Sequence, residues 1–337
     1  MTRAEGAWVG RSRLLNIALA CVSILAACAA VEVGLRISGS YRPPADPIQT
    51  KRPDLYRADP HVGYTLWPSK TTAYRYPAKN EGLIPLVANA DGFRAAREFG
   101  ERDGRIRIVV VGDSFVFGEG VRAEDRFTEQ LESLDRRWRV DNMGMPGWGL
   151  DLMIRAIEQY GRKADPRIVV LSVYTDSFRR LLPYYAGVGY AYPKFELKGS
   201  ELTTVPFPYP RFWERLRLVQ LVYQTRWQRE RNRYDLHRAL LDRYLQIARE
   251  MGFMPVVVFF PGKSDTAEDQ ERRGFLRAWA VSHGVQYGDL TSAIHAAGIE
   301  EVYIRDNWHW NPLGHRIAAI ELGNLLRREL DMPGPPS

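Results

Sequence analysis

A serine that follows a short apolar run, and a histidine three positions after an aspartate, could do chemistry together. The run Arg107-Ile108-Val109-Val110-Val111-Gly112-Asp113 ends at Ser114, and the chain later reads Asp306-Asn307-Trp308-His309. A serine becomes a nucleophile when a base takes its proton. A carboxylate that orients the histidine completes a Ser-His-Asp triad. We therefore expect Ser114 to be the nucleophile, His309 the base, and Asp306 the carboxylate that orients His309.

The elements that must position these residues follow from the pattern of the chain. The apolar, β-branched run before Ser114 is typical of a parallel strand buried on both faces. Further strands are expected at 139–142, 168–173, 256–260 and 285–289, with helices between them. This alternation predicts an α/β fold with three layers, α/β/α, around a flavodoxin-like parallel sheet of about five strands. Ser114, Gly147, Thr175 and the 306–309 loop then lie at the carboxyl edge, where such sheets bind ligands.

The motif Gly112-Asp113-Ser114-Phe115, followed late in the chain by Asp306-x-x-His309, resembles the SGNH (GDSL-type) hydrolase family of the membrane-anchored bacterial type. The resemblance covers roughly Ile106 to Leu330. The G-x-S-x-G elbow of the α/β-hydrolases is absent, which argues against that other serine-hydrolase fold. The resemblance implies a serine esterase that acts through an acyl-Ser114 intermediate.

The same resemblance implies three donors to the oxyanion. They are the backbone N–H of Ser114, that of Gly147 (with Gly144 as the alternative register), and the residue at position 175. The family has Gly-x-Asn-Asp in this third block, whereas this chain has Val173-Tyr174-Thr175-Asp176. A threonine hydroxyl donates one hydrogen bond but has a shorter reach than asparagine. Loss of one oxyanion donor costs about two to three orders of magnitude in rate.

Each of these residues also has a purely structural interpretation. Ser114 can cap a helix after a turn, and Asp113 is expected to support that turn rather than react. Asp306 can cap the closing helix, and His309 can pack between two tryptophans. His315 competes for the role of base, but it lies inside a predicted helix and lacks a carboxylate at the matching spacing. The glycines can simply allow a tight loop.

Composition excludes several other classes of function. The 337 residues are 45% hydrophobic and 26% charged, with a net charge of +7 from scattered arginines. Without a basic cluster beside stacking aromatics, a nucleic-acid partner is not expected. Cys21 and Cys28 both lie in the apolar N-terminal stretch, so no disulfide or thiolate metal site is expected in the rest. No phosphate loop, metal cluster or dinucleotide fingerprint occurs, and we expect no cofactor and no metal.

The N-terminus has the pattern of a membrane anchor. A basic segment, 1–13, precedes an apolar stretch, 14–35, which we expect to be a transmembrane helix with the rest of the chain outside the cytoplasm, periplasmic or at the cell surface. Two alternatives are a cleaved signal peptide and lipidation at Cys28, because Leu25-Ala26-Ala27-Cys28 resembles a lipobox.

Three further segments complete the organisation. We expect a linker and an N-terminal extension at 36–104, the SGNH domain at 105–332, and an insertion at 179–234. The extension should pack on the domain because its large apolar side chains favour burial; they are Tyr56, Tyr64, Leu66, Trp67, Tyr74 and Tyr76. Aromatic residues of the insertion can overhang the site and contact sugar rings or acyl chains; they are Tyr184, Tyr185, Tyr190, Tyr192 and Phe195.

The expected reaction is cleavage of acyl esters, with O-acyl groups of envelope or exopolysaccharide as the expected substrate. Transfer of the acyl group to an acceptor other than water, and a catalytically weak scaffold that binds polysaccharide, are the alternatives. Thr175 motivates the scaffold, whereas the presence of Ser114, Asp306 and His309 together argues against it.

Overall fold

The computed structural model describes residues 3–38, 52–76, 82–181, 190, 192–206, 216–219, 221–222 and 234–330. Two compact units are present, one formed by 1–44 with 208–233 and the other by 45–207 with 234–337. In the first unit, helix α1 spans Arg3–Ser38. Its portion Leu15–Ser38, 24 residues, is long and apolar enough to cross a membrane.

The second unit alternates strands with helices along most of its length. Its strands are β1 (Tyr56–Asp59), β2 (Gly63–Leu66), β3 (Thr71–Arg75), β4 (Leu83–Val87), β5 (Ile106–Gly112), β6 (Trp138–Gly144), β7 (Ile168–Tyr174), β8 (Lys194–Lys198), β9 (Glu201–Val205), β10 (Met254–Phe260) and β11 (Gln286–Asp289). Its helices are α2 (Ser114–Phe117), α3 (Phe127–Ser133), α4 (Leu150–Ala164), α5 (Asp235–Met251), α6 (Ala267–Ser282), α7 (Thr291–Ala296), α8 (Ile299–Val302) and α9 (Pro312–Leu330). Turns of 3₁₀ helix lie at Ala123–Asp125 and Thr175–Leu181.

Five of these strands form the central sheet, in the order β11-β10-β7-β5-β6. All its pairs are parallel, with Val110 opposite Asn142 on one side and Val170 on the other. Numbered along the chain, this order is 2-1-3-4-5, which is the flavodoxin-like order. The predicted fold class is therefore confirmed.

Alternate residues of β5 contribute to different halves of the core. Val109 and Val111 pack in the cluster that contains side chains of α4, α5 and α6. Ile108 and Val110 pack in the cluster that contains side chains of α3 and α9. A sheet buried on both faces explains the continuous apolar run that the sequence shows before Ser114.

The N-terminal extension consists of two antiparallel hairpins, β1–β2 and β3–β4, which the sequence analysis did not predict. The expected burial of its aromatics holds except at Trp67, which is 45% exposed and donates its indole N–H to the carbonyl of Pro53. The buried side chains belong to the same core cluster as α4 and α5; they are Tyr56, Tyr64, Leu66, Tyr74 and Tyr76.

A buried arginine links the extension to the segment after β5. The Arg94 guanidinium donates to the carbonyls of Phe117, Gly118 and Val121, and also to that of Pro85 in β4. Burial lowers the pKa of Arg94 to about 10. The hydrogen bonds to carbonyls offset part of the cost of burying this charge. The extension is thus fastened directly to the chain that carries Ser114.

In the insertion, β8 and β9 form a hairpin that contains Phe195. Tyr190 stacks on Tyr64 and Tyr192 is buried, so both pack against the body of the domain. Tyr184 and Tyr185 lie outside the described residues, as do most of the predicted linker and most of 212–233.

Candidate active site

Ser114 begins helix α2 directly beyond the carboxyl end of β5, an interior strand of the sheet. Asp113 caps this helix, because its Oδ1 accepts from the backbone N–H of Phe115 at 3.0 Å. The other oxygen, Oδ2, accepts from Arg180 at 2.6 Å. Asp113 is 1% exposed, so its carboxylate supports the turn from inside the protein. This agrees with the supporting role expected for it.

The strand next to β5 holds helix α2 through an amide. Asn142 of β6 donates to the carbonyl of Val116 and, at 2.9 Å, to the hydroxyl of Thr128. Its Oδ1 accepts from the backbone N–H of Gly144 at 3.1 Å. Gly144 passes so close to α2 that a Cβ there would overlap the backbone nitrogen of Phe117. The glycine at 144 therefore serves close packing beneath the Ser114 helix.

We expect Gly144→Ala to lower the free energy of unfolding by about 1–3 kcal/mol, because the new methyl group displaces the backbone of α2. Chemical denaturation measures the change. Gly274→Ala in α6 is the matched control, since its Cβ would meet nothing within 4 Å. An alanine in the interior of a helix should raise stability by up to about 1 kcal/mol. Equal effects of the two substitutions would contradict the close packing of Gly144 against α2.

Ser114 and His309 meet, although they lie 195 positions apart in the chain. The Nε2 atom of His309 is 2.8 Å from the Oγ of Ser114, a hydrogen-bond distance. The loop that carries His309 is held by a bridge between Tyr303 and Trp310. Phe115 and Trp310 pack ring to ring, with centroids 4.7 Å apart, behind the pair. The predicted nucleophile and base are thus in the geometry that proton transfer requires.

The structure differs from the sequence prediction at Asp306. Its side chain is exposed and its backbone has a φ of 56°, in the left-handed region. Among the described residues Asp306 has neither a hydrogen bond nor an ion pair, and it does not contact His309. The Nδ1 atom of His309 instead lies 2.9 Å from Oδ1 of Asn307 and 2.5 Å from the hydroxyl of Tyr76. The left-handed turn at Asp306 directs its carboxylate to solvent and leaves the next residue facing the imidazole.

A carboxylate does approach His309, but from the other side of the ring. Oε2 of Glu119 is 3.6 Å from Nε2, the nitrogen that also contacts Ser114. Burial raises the pKa of Glu119 to about 7, with a further raising effect from Asp113 that Arg52, Arg180 and Arg94 oppose. Glu119 therefore changes its charge near neutral pH, beside the nitrogen that would receive the serine proton.

Gly147 lies in a loop, after β6, that three contacts hold. Gly147 has a φ of 81°, which favours glycine. The hydroxyl of Tyr64 donates to the carbonyl of Pro146 at 2.7 Å. Arg180 donates to the carbonyl of Trp148 at 2.8 Å. The backbone N–H of Trp148 donates to the carbonyl of Met145 at 3.2 Å. One of these anchors, Tyr64, comes from the N-terminal extension.

Thr175, the third predicted oxyanion donor, is buried directly after β7 and its hydroxyl has two partners. The hydroxyl donates to Oδ1 of Asp269 and accepts from Arg272 at 2.9 Å. A hydroxyl carries a single proton. Because Asp269 takes that proton, Thr175 does not offer it to an oxyanion in this arrangement, which differs from the role expected of it.

Sequence reasoning missed Tyr76, Asn307, Glu119 and Arg180. Glu119 follows Ser114 by five positions, in the turn after α2, so its proximity in the sequence was an available signal. Asn307 lies inside the motif that was singled out. Tyr76 is 233 positions from His309, and no local pattern connects the two.

Two other features of the site concern metals and the second histidine. Within the described ranges, no group of three or more His, Cys, Asp or Glu side chains could hold a metal ion. His315 is buried, stacks on Phe127 at 6.0 Å between centroids, and accepts from the Phe127 N–H at 3.3 Å. These contacts give His315 a packing role.

The chain was compared with known proteins. No protein-family model matches it, and no curated protein matches it. Among solved structures it is similar to a lipolytic protein of the G-D-S-L family from Veillonella parvula, with 19% identity and a TM-score of 0.43, over 66% of this chain and 98% of that one.

Two further similar structures are esterases. The esterase EstA from a Pseudoalteromonas species is 11% identical with a TM-score of 0.43, over 67% of this chain and 100% of that one. The acetyl xylan esterase AlAXEase is 14% identical with a TM-score of 0.43, over 65% of this chain and 98% of that one. In the order of its two motifs, Gly112-Asp113-Ser114-Phe115 and Asp306-x-x-His309, the chain resembles the SGNH (GDSL-type) hydrolases.

Proposed function

We propose that this protein is a serine esterase of the SGNH type. The observation that carries the proposal is the 2.8 Å contact between Ser114 Oγ and His309 Nε2 at the carboxyl edge of the parallel sheet. Open α/β sheets bind their ligands at this edge. The histidine beside it is neutral above about pH 4, because burial and the nearby Arg180 lower its pKa to about 4.

The reaction follows from this geometry. Ser114 Oγ attacks the carbonyl carbon of the ester while its proton passes to Nε2 of His309. The tetrahedral intermediate collapses, the alcohol leaves with the proton from His309, and Ser114 remains acylated. Water then attacks the acyl-serine while its proton passes to Nε2 of His309, and the acid is released as Ser114 Oγ takes that proton back. The backbone N–H of Ser114, at the start of α2, and that of Gly147 are the proposed donors to the oxyanion.

The substrate class that we propose is an O-acyl group on envelope or exopolysaccharide. The apolar helix Leu15–Ser38 supports a membrane anchor, and the basic residues before it favour a catalytic domain outside the cytoplasm. Trp308, next to His309 in the chain, exposes 67% of its surface. Lys263 lies 5.9 Å from the centre of its ring. An exposed indole at the position before His309 suits a sugar ring.

A fluorophosphonate probe tests the proposal, because it phosphonylates only serines that a base activates. We expect the full-length protein in detergent to be labelled, and peptide mass spectrometry to place the label on Ser114. A folded protein that stays unlabelled would refute the esterase reading.

A weak hydrolase that transfers acyl groups or binds polysaccharide is the second candidate. Two observations favour it: the Thr175 proton is held by Asp269, and the partners of His309 Nδ1 are uncharged. Both features lower the rate expected for hydrolysis. Product analysis with an added sugar acceptor distinguishes the candidates, since transfer yields an acylated sugar and hydrolysis yields free acid.

The pH dependence of ester turnover should show two steps. The first lies near pH 4, where His309, with its pKa lowered to about 4, becomes the neutral base. The second lies near pH 7, where Glu119, with its pKa raised to about 7, becomes negative beside Nε2. A negative charge there stabilises the imidazolium that forms during attack. We therefore expect kcat/KM to rise with pH through both values.

Glu119→Gln should keep the lower step and lose the upper one, because glutamine has a similar shape but no charge to gain. Profiles of kcat/KM for p-nitrophenyl acetate from pH 3.5 to 8.5, corrected for spontaneous hydrolysis, measure both steps. An upper step that persists in Glu119→Gln would assign it to another group.

A further inference from the structure

We propose that Tyr76, a residue of the N-terminal extension, is a positioning residue for His309, and that it occupies, together with Asn307, the place of a triad carboxylate. This inference rests on the proposed esterase function and concerns how the base of that reaction is held. It makes the extension a part of the active site.

The three groups form a closed cluster around one ring nitrogen. The Tyr76 hydroxyl is 2.5 Å from Nδ1 of His309 and donates to Oδ1 of Asn307 at 3.1 Å. Oδ1 of Asn307 is 2.9 Å from Nδ1 and also accepts from the backbone N–H of His309 at 3.1 Å. The rings of Tyr76 and His309 meet edge to face, with centroids 5.8 Å apart.

The cluster selects one tautomer of His309. A backbone N–H can only donate, so the atom of Asn307 that receives it is the carbonyl oxygen, which can only accept. With that acceptor 2.9 Å from Nδ1, the ring satisfies it by carrying its proton on Nδ1. Nε2 then has a free lone pair and accepts from Ser114. The opposite tautomer would place a proton on Nε2, and His309 could not act as the base.

The side chain of Tyr76 is tightly packed. It is 4% exposed and belongs to the core cluster of the domain. A Cβ at Gly120, in the turn after α2, would lie 3.1 Å from Cε1 of Tyr76, so the ring packs closely on that turn. Arg94 ties the same turn to the extension through the carbonyls of Gly118 and Val121. The turn after α2 therefore restricts the ring that carries this hydroxyl.

Neutral partners at Nδ1 have a chemical consequence. A carboxylate both orients the imidazole and stabilises its cation, whereas a phenol and an amide orient it but supply no charge. The pKa of His309, lowered to about 4, is consistent with an imidazole that lacks an anionic partner at Nδ1. With uncharged partners at Nδ1, His309 stays neutral at acidic pH. The imidazolium that forms during attack is then less stabilised, so proton transfer from Ser114 is slower.

The test compares four single variants and one double variant of the full-length protein. Tyr76→Phe removes the hydroxyl and keeps the ring; Tyr74→Phe is the matched control, since it removes a buried hydroxyl from the same extension. We expect Tyr76→Phe to lower kcat by about tenfold, the size of one hydrogen bond, with KM changed less than twofold. Tyr74→Phe should leave both parameters unchanged. A cooperative melting transition for each variant shows that both are folded.

The remaining variants separate the orientation of the His309 ring from the charge beside it. Asn307→Asp places a carboxylate beside Nδ1 and should move the lower step in the pH profile of kcat/KM upward, towards the ordinary histidine value of about 6.5. In that background Tyr76→Phe should cost less than in the wild type, because the carboxylate orients the ring alone. Asp306→Asn should change neither parameter, because its side chain faces solvent.

The outcomes distinguish this inference from the esterase proposal. A wild type whose Ser114 takes no fluorophosphonate label overturns both. A labelled wild type in which Tyr76→Phe behaves like Tyr74→Phe overturns the role of Tyr76 alone. A loss of most activity in Asp306→Asn would also overturn it, and would return the acid role to Asp306.

Discussion

Ser114→Ala is expected to reduce ester hydrolysis by on the order of 10⁴-fold or more. The Oγ atom of Ser114 forms the acyl bond in the proposed mechanism, and His309 Nε2 lies 2.8 Å from it. Burial of Ser114 at 4% exposure, over a well-packed α2, predicts that alanine fits without disturbing the fold. Turnover of p-nitrophenyl acetate measures the loss.

The control for this variant is its stability. An alanine at position 114 keeps the backbone of α2, and Asp113 still caps the helix through Phe115 N–H. We expect an unchanged melting temperature beside the lost turnover. Hydrolysis that survives in a folded Ser114→Ala protein would move the nucleophile elsewhere and remove the basis of the proposed mechanism.

His309→Gln should lose as much activity as Ser114→Ala, because glutamine can hydrogen bond to the serine but cannot take its proton. Residues that act as one unit are strongly non-additive. The double variant Ser114→Ala/His309→Gln is therefore expected to be no slower than either single variant. Initial rates of the three proteins with the same activated ester provide the comparison.

His315→Gln is the matched control for His309, since His315 is the other histidine of this region of the chain. His315 is 1% exposed and stacks on Phe127, so its replacement should lower stability while the folded enzyme keeps its turnover per labelled site. A His309→Gln protein that retains more than a tenth of the wild-type rate would show that another group is the base.

Much of the site could be predicted because the strands that position it have a local sequence pattern. The run before Ser114 was predicted as a buried strand, since a short, β-branched apolar run is typical of a strand covered on both faces. The same argument applied to β6, β7 and β10, and the order of strands and helices then restricted the topology. The carboxyl ends of β5 and β7 were expected at one edge, and the parallel pairs of the sheet place them there.

The extension escaped prediction for a physical reason. Its strands have four or five residues each, too few for a clear period of two. Burial of its tyrosines was still predictable, because large apolar surface favours the interior. Trp67 shows the limit of that rule, since its indole N–H found a partner at the surface and the ring remained half exposed.

The choice between Asp306 and Asn307 could not be made from spacing. Both residues are within reach of His309 on a short loop, and a carboxylate is the better partner in chemical terms. The left-handed backbone at Asp306, with a φ of 56°, turns its side chain outward. Asn307 then faces Nδ1.

The sequence by itself determined the α/β class and the strand that ends at Ser114, because each depends on local pattern and on the order of elements. The pairing of Ser114 with His309 was expected from the residue types of a triad, not from local pattern. Only the tertiary structure decided which groups surround His309. Tyr76 and Glu119 reach the imidazole from separate segments of the chain, and a contact across 233 positions leaves no trace in local periodicity. Side chains that meet through packing are selected by the whole core, whereas a strand is selected by its own residues.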